Sequence, residues 1–188
     1  MSRFRLAVFT VMTPDLTVEE TARTLQELGY DGVEWRVTTV PTAPVVPPTY
    51  WNGNRATVDI TRLGELAPAV AELTRRHGMA MPCLGTYLTA TDLPTVESAM
   101  LAAVAMGVPA LRVGVRAYDG SRSYGELFRE GTAQFGKVLA LGERYGLRVL
   151  VELHMGNIIP GSAYAFRFVS QFDPRLIGCI YDPGNMVH

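Results

Sequence analysis

A short phrase returns four times along this chain: a helical pattern, a glycine, then a brief apolar run. It stands at Leu28-Gly29-Tyr30-Asp31-Gly32-Val33-Glu34, His77-Gly78-Met79-Ala80-Met81, Met106-Gly107-Val108-Pro109-Ala110-Leu111-Arg112-Val113 and Tyr145-Gly146-Leu147-Arg148-Val149. Glycine in that place is the left-handed cap that ends a helix and turns the chain back into a strand. Four such joints describe one αβ unit repeated, and repeated βα units imply a parallel sheet.

The segments between the joints agree. Thr17-Val18-Glu19-Glu20 reads as a capping box, after which Val18, Ala22, Leu25 and Leu28 mark one helix face. Leu63, Leu66, Val70 and Leu73 mark a second helix, in which Pro68 predicts a kink. A third runs from Leu93 to Met106, and a long fourth carries Leu127, Phe128, Phe135, Val138 and Leu139 up to Tyr145. Ala163, Phe166 and Val169 suggest a fifth. The strands expected between them are 6–11, 32–37, 80–84, 110–115, 148–152 and 177–182. Six strands and five helices alternate strictly. A doubly wound sheet could finish on a sixth strand, whereas a closed (β/α)₈ barrel needs two more βα units.

At 188 residues and 48% hydrophobic the chain is one domain's worth, with ample core. A formal net charge of −1 supplies no field to attract nucleic acid or an anionic membrane, so neither is expected as a partner. Cys83 and Cys179, each inside an apolar run, are expected as buried free thiols rather than a disulfide or metal ligands. No apolar stretch approaches the ~20 residues of a membrane helix, which makes a cytoplasmic protein the expectation.

Function is written at the ends of the last two strands. The run Leu147–His154 carries Glu152 at its C-terminal edge, and the run Leu176–Asp182 ends on Asp182. Neighbouring parallel strands would bring these carboxylates side by side on the edge where α/β proteins build their sites. The plain alternative is a pair of solvated strand-end acids. With His154 and His188 near in sequence, oxygen and imidazole donors suit Mg²⁺, Mn²⁺, Co²⁺ or Zn²⁺. His154, two residues past Glu152, would point the same way in an extended strand, as ligand, substrate contact or polar strand end. Asn185 and His188 follow Asp182 in a loop opened by Pro183-Gly184 and could hold sugar hydroxyls. Glu34 ends the second strand beside Trp35 and Arg36, as a polyol contact or a surface ion pair. Arg116 reads as a phosphate contact or a plain surface arginine, and His77, at a helix end, as structural. The stretch from Thr38 to Val58, with Pro41, Pro44, Pro47, Pro48, Tyr50 and Trp51, is a long βα loop over the same edge: a lid, a substrate wall or a surface loop. No G-x-G-x-x-G, Walker or G-x-S-x-G pattern stands where a nucleotide-binding or serine hydrolase fold would carry it.

Gly29-Tyr30-Asp31-Gly32-Val33-Glu34, Val151-Glu152-Leu153-His154-Met155-Gly156 and Ile180-Tyr181-Asp182-Pro183-Gly184-Asn185 together resemble the xylose isomerase-like TIM barrels, the superfamily of sugar and sugar phosphate isomerases and epimerases. The resemblance implies a (β/α)₈ barrel of which this chain carries about the first six strands, so that residues 1–188 form one C-terminally truncated domain, inactive by itself. It implies a divalent metal (Mn, Mg, Co or Zn) with Glu152 and Asp182 as two of four ligands. It implies proton transfer next to a carbonyl through an enediolate, with Glu152 as the catalytic group. Glu34, Trp51, His154, Asn185 and His188 would surround a small sugar or sugar phosphate. Asn185 stands where many ketose epimerases of the superfamily carry a histidine. The endonuclease branch, which needs many histidines, does not fit a chain with three. A non-catalytic sugar-binding or assembly domain of the same fold is the alternative, and assembly into a homo-oligomer stays open.

Overall fold

A computed structural model of the chain describes residues 4–186. The fold falls into two compact units, residues 1–86 with 101–109, and residues 87–100 with 110–188. Every strand pair given a register in either unit is parallel.

The first unit contains β1 (Ala7–Phe9), α1 (Val18–Glu27), β2 (Gly32–Thr38), β3 (Thr57–Asp59), α2 (Leu63–Arg76) and β4 (Leu84–Thr86). α1 begins where the sequence places it. The Thr17 hydroxyl accepts the Glu20 N–H at 3.2 Å and the Glu20 carboxylate accepts the Thr17 N–H at 2.8 Å, closing both halves of the capping box. β2 is the spine of this unit. On one side it pairs with β4, Arg36 opposite Gly85. On the other it pairs first with β1 (Phe9 opposite Glu34) and then, past the end of β1, with β3 (Arg36 opposite Thr57). Its two faces separate cleanly by chemistry. Val33, Trp35 and Val37 are fully buried, and the Trp35 indole N–H donates to Thr74 Oγ1 of α2 at 3.0 Å. Glu34, Arg36 and Thr38 occupy the other face, as strand alternation requires.

The second unit contains β5 (Ala110–Arg112), α4 (Tyr124–Tyr145), β6 (Arg148–Glu152), α5 (Ser162–Val169) and β7 (Ile177–Ile180). α3 (Leu93–Met106) gives residues to both units. In β6, Val149 and Val151 are buried while Leu150 and Glu152 are half-buried on the opposite face. Edge-to-face contacts among Phe128, Phe135, Phe168 and Phe172, with centroids 5.3–5.9 Å apart, fill the helical layer.

The four glycine joints behave as read: Gly29, Gly78, Gly107 and Gly146 have φ of 77°, 66°, 73° and 68°. All five helices are present. The strands need correction. A seventh, β3, arises inside the region read as pure loop. β1 stops at Phe9, and the chain makes a 3-10 turn over Thr10–Met12 where strand was expected. The strand expected at 80–84 lies at Leu84–Thr86, with Ala80 making an isolated bridge to Gly32. β5 stops at Arg112 and β7 at Ile180. α2 is continuous from Leu63 to Arg76 with Pro68 inside it. Cys83 is buried as expected. Cys179 is exposed, which corrects its reading as a buried thiol.

Candidate functional site

The register of β6 against β7 decides where the two acids stand. Glu152 pairs with Ile180, and Asp182 follows two residues later. Paired residues in a parallel sheet share a face, so that register directs Glu152 and Ile180 to the side opposite buried Val149 and Val151, while Asp182 lies past the end of β7, where strand parity does not carry over. Both acids therefore stand at the C-terminal end of this sheet edge.

Glu152 is not idle there. Arg112, at the end of β5, donates from Nη1 to Glu152 Oε2 at 2.5 Å, and both side chains are largely enclosed, 9% and 23% exposed. The guanidinium also lies over the Tyr87 ring, 4.8 Å from its centroid. Arg112 is not among the residues expected from the sequence. The signal that could have found it is a charged residue in the middle of the apolar run Ala110–Val113, since a buried cation demands a partner.

Beyond the strand ends the residues turn to holding the loops. Asp182 Oδ1 accepts the Gly184 N–H at 2.8 Å, closing a turn over Pro183. Asn185 Nδ2 donates to the Leu153 carbonyl at 3.1 Å, lacing the end of β7 to the end of β6. His154 is exposed, its Nδ1 2.6 Å from the Met155 carbonyl oxygen. Because β6 ends at Glu152, strand parity does not carry over to His154. His188 lies outside the described residues. Among the described residues no three His, Cys, Asp or Glu side chains gather as a metal-binding group. Two carboxylates thus fit a hard divalent ion in kind and fall short of it in number.

In the first unit Glu34 sits half-buried on the β2 face it shares with Arg36. Gly85 leaves it room, because a Cβ there would stand 2.8 Å from Glu34 Oε1 and 2.4 Å from the Phe9 ring. Trp51 is 66% exposed, while its carbonyl accepts from Arg36 Nη2 at 3.1 Å. Asn54, buried, ties this loop down: its amide donates to the Thr10 and Val11 carbonyls at 3.2 and 3.1 Å, and its Oδ1 accepts the Ala56 N–H at 3.0 Å. Arg116 and Arg122 converge on Glu130 at 2.5 and 2.6 Å, so Arg116 is held in an ion pair. His77 caps α2, its Nδ1 2.5 Å from Gln26 Oε1.

No family model matches the chain, and no curated protein matches it in sequence. Solved structures do. The chain superposes on IolI, crystallised with a bound zinc atom, with a TM-score of 0.73 over 98% of its length, at 13% identity. On the 3-keto-D-glucoside 4-epimerase YcjR from E. coli the score is 0.69 over 94%, at 15% identity. On a xylose isomerase domain containing protein from Salmonella typhimurium it is 0.61 over 89%, at 16% identity. The fold is the xylose isomerase-like TIM barrel. The chain spans 64%, 67% and 56% of the lengths of those three proteins, and so corresponds to part of such a barrel. No helix among the described residues is long and apolar enough to cross a membrane.

Proposed function

We propose that this chain carries the first part of a metal-dependent sugar isomerase or epimerase site, with Glu152 and Asp182 as its first two metal ligands. The observation that carries the reading is the register of Glu152 against Ile180, with Asp182 two residues on. The similarity of fold to YcjR, an epimerase, and to IolI, which holds zinc, supports it. When bound, a divalent ion would polarise a carbonyl and its neighbouring hydroxyl, easing loss of the proton between them. Glu152 takes that proton and returns it. Arg112 holds one oxygen of Glu152 in place, which fixes the orientation of the carboxylate. Glu34, Trp51, His154, Asn185 and His188 are the proposed contacts to the sugar, phosphorylated or not. Two carboxylates hold an ion loosely, so further donors from outside these residues complete the tight site and these residues alone bind metal weakly.

A second reading has one observation in its favour. Arg112 already neutralises Glu152, and such a pair is also what a sugar-binding domain without catalysis would keep for structure alone. Proton exchange separates the two. Ketoses and their phosphates are incubated in D₂O with Mn²⁺ and the protein in the form that supplies those further donors, and deuterium entering at the carbon next to the carbonyl is followed by NMR. Incorporation that Glu152→Gln abolishes is the expected result. Incorporation at the same rate in that variant rejects the role of Glu152, and none in either protein favours the binding domain.

A further inference from the structure

We infer that Asn52 is a self-modifying site: the Asn52-Gly53 junction closes to a succinimide and reopens as aspartate or isoaspartate, and Thr49 promotes the closure. The inference goes beyond the proposed function and does not rest on it.

In the first step the Gly53 amide nitrogen attacks the side-chain carbonyl carbon of Asn52. The N–Cγ bond forms, the Cγ–Nδ2 bond breaks, and the Gly53 proton leaves with the side-chain nitrogen as ammonia. Water then opens the ring at one carbonyl to give aspartate, or at the other to give isoaspartate. Closure needs a following residue that does not crowd the ring, reacting groups without other partners, and support for the charge on the attacking nitrogen. The chain has four asparagines, at 52, 54, 157 and 185, followed by Gly53, Arg55, Ile158 and Met186. Only Asn52 precedes a residue without a side chain.

The structure separates the four further. Asn54 is buried with its amide donating to the Thr10 and Val11 carbonyls, and the Arg55 N–H donates to the Pro14 carbonyl at 2.9 Å. Asn157 Oδ1 accepts the Ile159 N–H at 2.7 Å, and the Ile158 N–H donates to the Arg116 carbonyl at 3.0 Å. Asn185 Nδ2 donates to the Leu153 carbonyl, and the Met186 N–H donates to the Pro183 carbonyl at 3.2 Å. In these three, both the side-chain amide and the attacking N–H are engaged. Asn52 is exposed, and among the described residues neither its side-chain amide nor the Gly53 N–H makes a hydrogen bond.

The bonds that Asn52 does make are to its main chain, all from Thr49. The Asn52 carbonyl oxygen accepts the Thr49 N–H at 2.8 Å and the Thr49 hydroxyl at 3.2 Å, while the Asn52 N–H donates to Thr49 Oγ1 at 3.0 Å. That carbonyl belongs to the peptide group whose nitrogen is Gly53's. As the nitrogen loses its proton, amide resonance spreads the charge on to the Asn52 oxygen, where two donors already stand. The loop also requires its glycine. Gly53 has φ 66°, and a Cβ there would stand 2.5 Å from Val45 Cβ, so the residue that favours the reaction is the one that lets the loop close.

Conversion alters the loop that carries Trp51. Asn52 lines a hollow of about 90 Å³ together with Arg36, Trp51 and Thr57. Either product adds one negative charge to a chain of formal net charge −1. Isoaspartate also lengthens the main chain by one methylene, between the Trp51 carbonyl bonded to Arg36 and the anchored Asn54.

The native protein is held in mildly alkaline buffer while peptide mapping, ammonia release and ion-exchange separation follow it with time. Conversion at Asn52 with one ammonia per chain, and with Asn54, Asn157 and Asn185 unchanged, is the expected result. It runs faster in the folded protein than in the same chain unfolded in guanidinium chloride. Thr49→Val keeps the Asn-Gly pair and removes the hydroxyl. It slows conversion of the folded protein about tenfold, the worth of one hydrogen bond to a developing charge, and leaves the unfolded rate unchanged. Thr49→Ser, which restores the hydroxyl, converts like the parent, and circular dichroism checks that each variant is folded. Slower conversion in the folded parent than in the unfolded chain overturns the inference without any variant. Equal rates for folded Thr49→Val and the parent, or earlier conversion at another asparagine, overturn it as well.

Discussion

Glu152 shows how far a single residue type can be read. Its place at a strand end was legible because a carboxylate interrupting Val149-Leu150-Val151 has one natural position, the C-terminal edge. Its partner was not legible, because Arg112 lies 40 positions away and meets Glu152 only through the pairing of β5 with β6. Other residues make sharper tests. Glu130, held by Arg122 and Arg116, has its carboxyl pulled down to about 2 by those hydrogen bonds. Its ionised form is favoured in the folded protein, so its contribution to stability is complete above the ordinary glutamate range of about 4.5 and is lost as pH falls towards about 2. In acid titrations, Glu130→Gln should flatten the fall in melting temperature over that interval. An unchanged slope would show that the exposed pair contributes nothing measurable. Cysteine alkylation gives an independent check on packing. Cys179, exposed at the surface, should be labelled by iodoacetamide in the native protein, faster at higher pH because partial desolvation pushes its thiol up, while Cys83 stays protected until unfolding. Labelling of Cys83 first would contradict the packing of the first unit.

At the scale of elements, helices were the easy part. Their starts and stops are local chemistry: a capping box at Thr17, glycines at 29, 78, 107 and 146, and an apolar stripe between. The strands were harder, since β1, β3, β4 and β5 are each three residues long. Three residues carry too little alternation to be read, and β3 exists because the end of β1 leaves one side of β2 open from Arg36 to Thr38. What holds β3 in that lane is Asn54. Replacing it by alanine leaves the Ala56 N–H and the Thr10 and Val11 carbonyls without their side-chain partners. Asn54→Ala should cost about 2–3 kcal/mol, on ~1–3 kcal/mol per unsatisfied buried group. Thr17→Ala, which opens a capping box, should cost about 1 kcal/mol. Chemical denaturation of both variants beside the parent checks the order. A milder loss for Asn54→Ala than for Thr17→Ala would mean that the loop is not fastened as described.

For the whole molecule, the repeat of helix, glycine and strand was enough to predict a parallel βα fold, and the phrases around Glu34, Glu152 and Asp182 were enough to place it among xylose isomerase-like barrels. The similarity of structure agrees at 13–16% identity, where the sequence retains the pattern of the fold and little else. Substrate is a different matter. The residues that would choose a sugar lie in loops, where His154, Asn185 and Asp182 also make local backbone contacts whose geometry no periodicity announces. The claim on which the functional account turns is that Glu152 and Asp182 bind one cation together. Mn²⁺ titration followed by electron paramagnetic resonance, on the parent chain and on Glu152→Gln and Asp182→Asn, tests it directly. The account predicts a single weak, saturable Mn²⁺ site in the parent and its loss in each variant. Retention of that site in both variants, or its loss in only one, would contradict it.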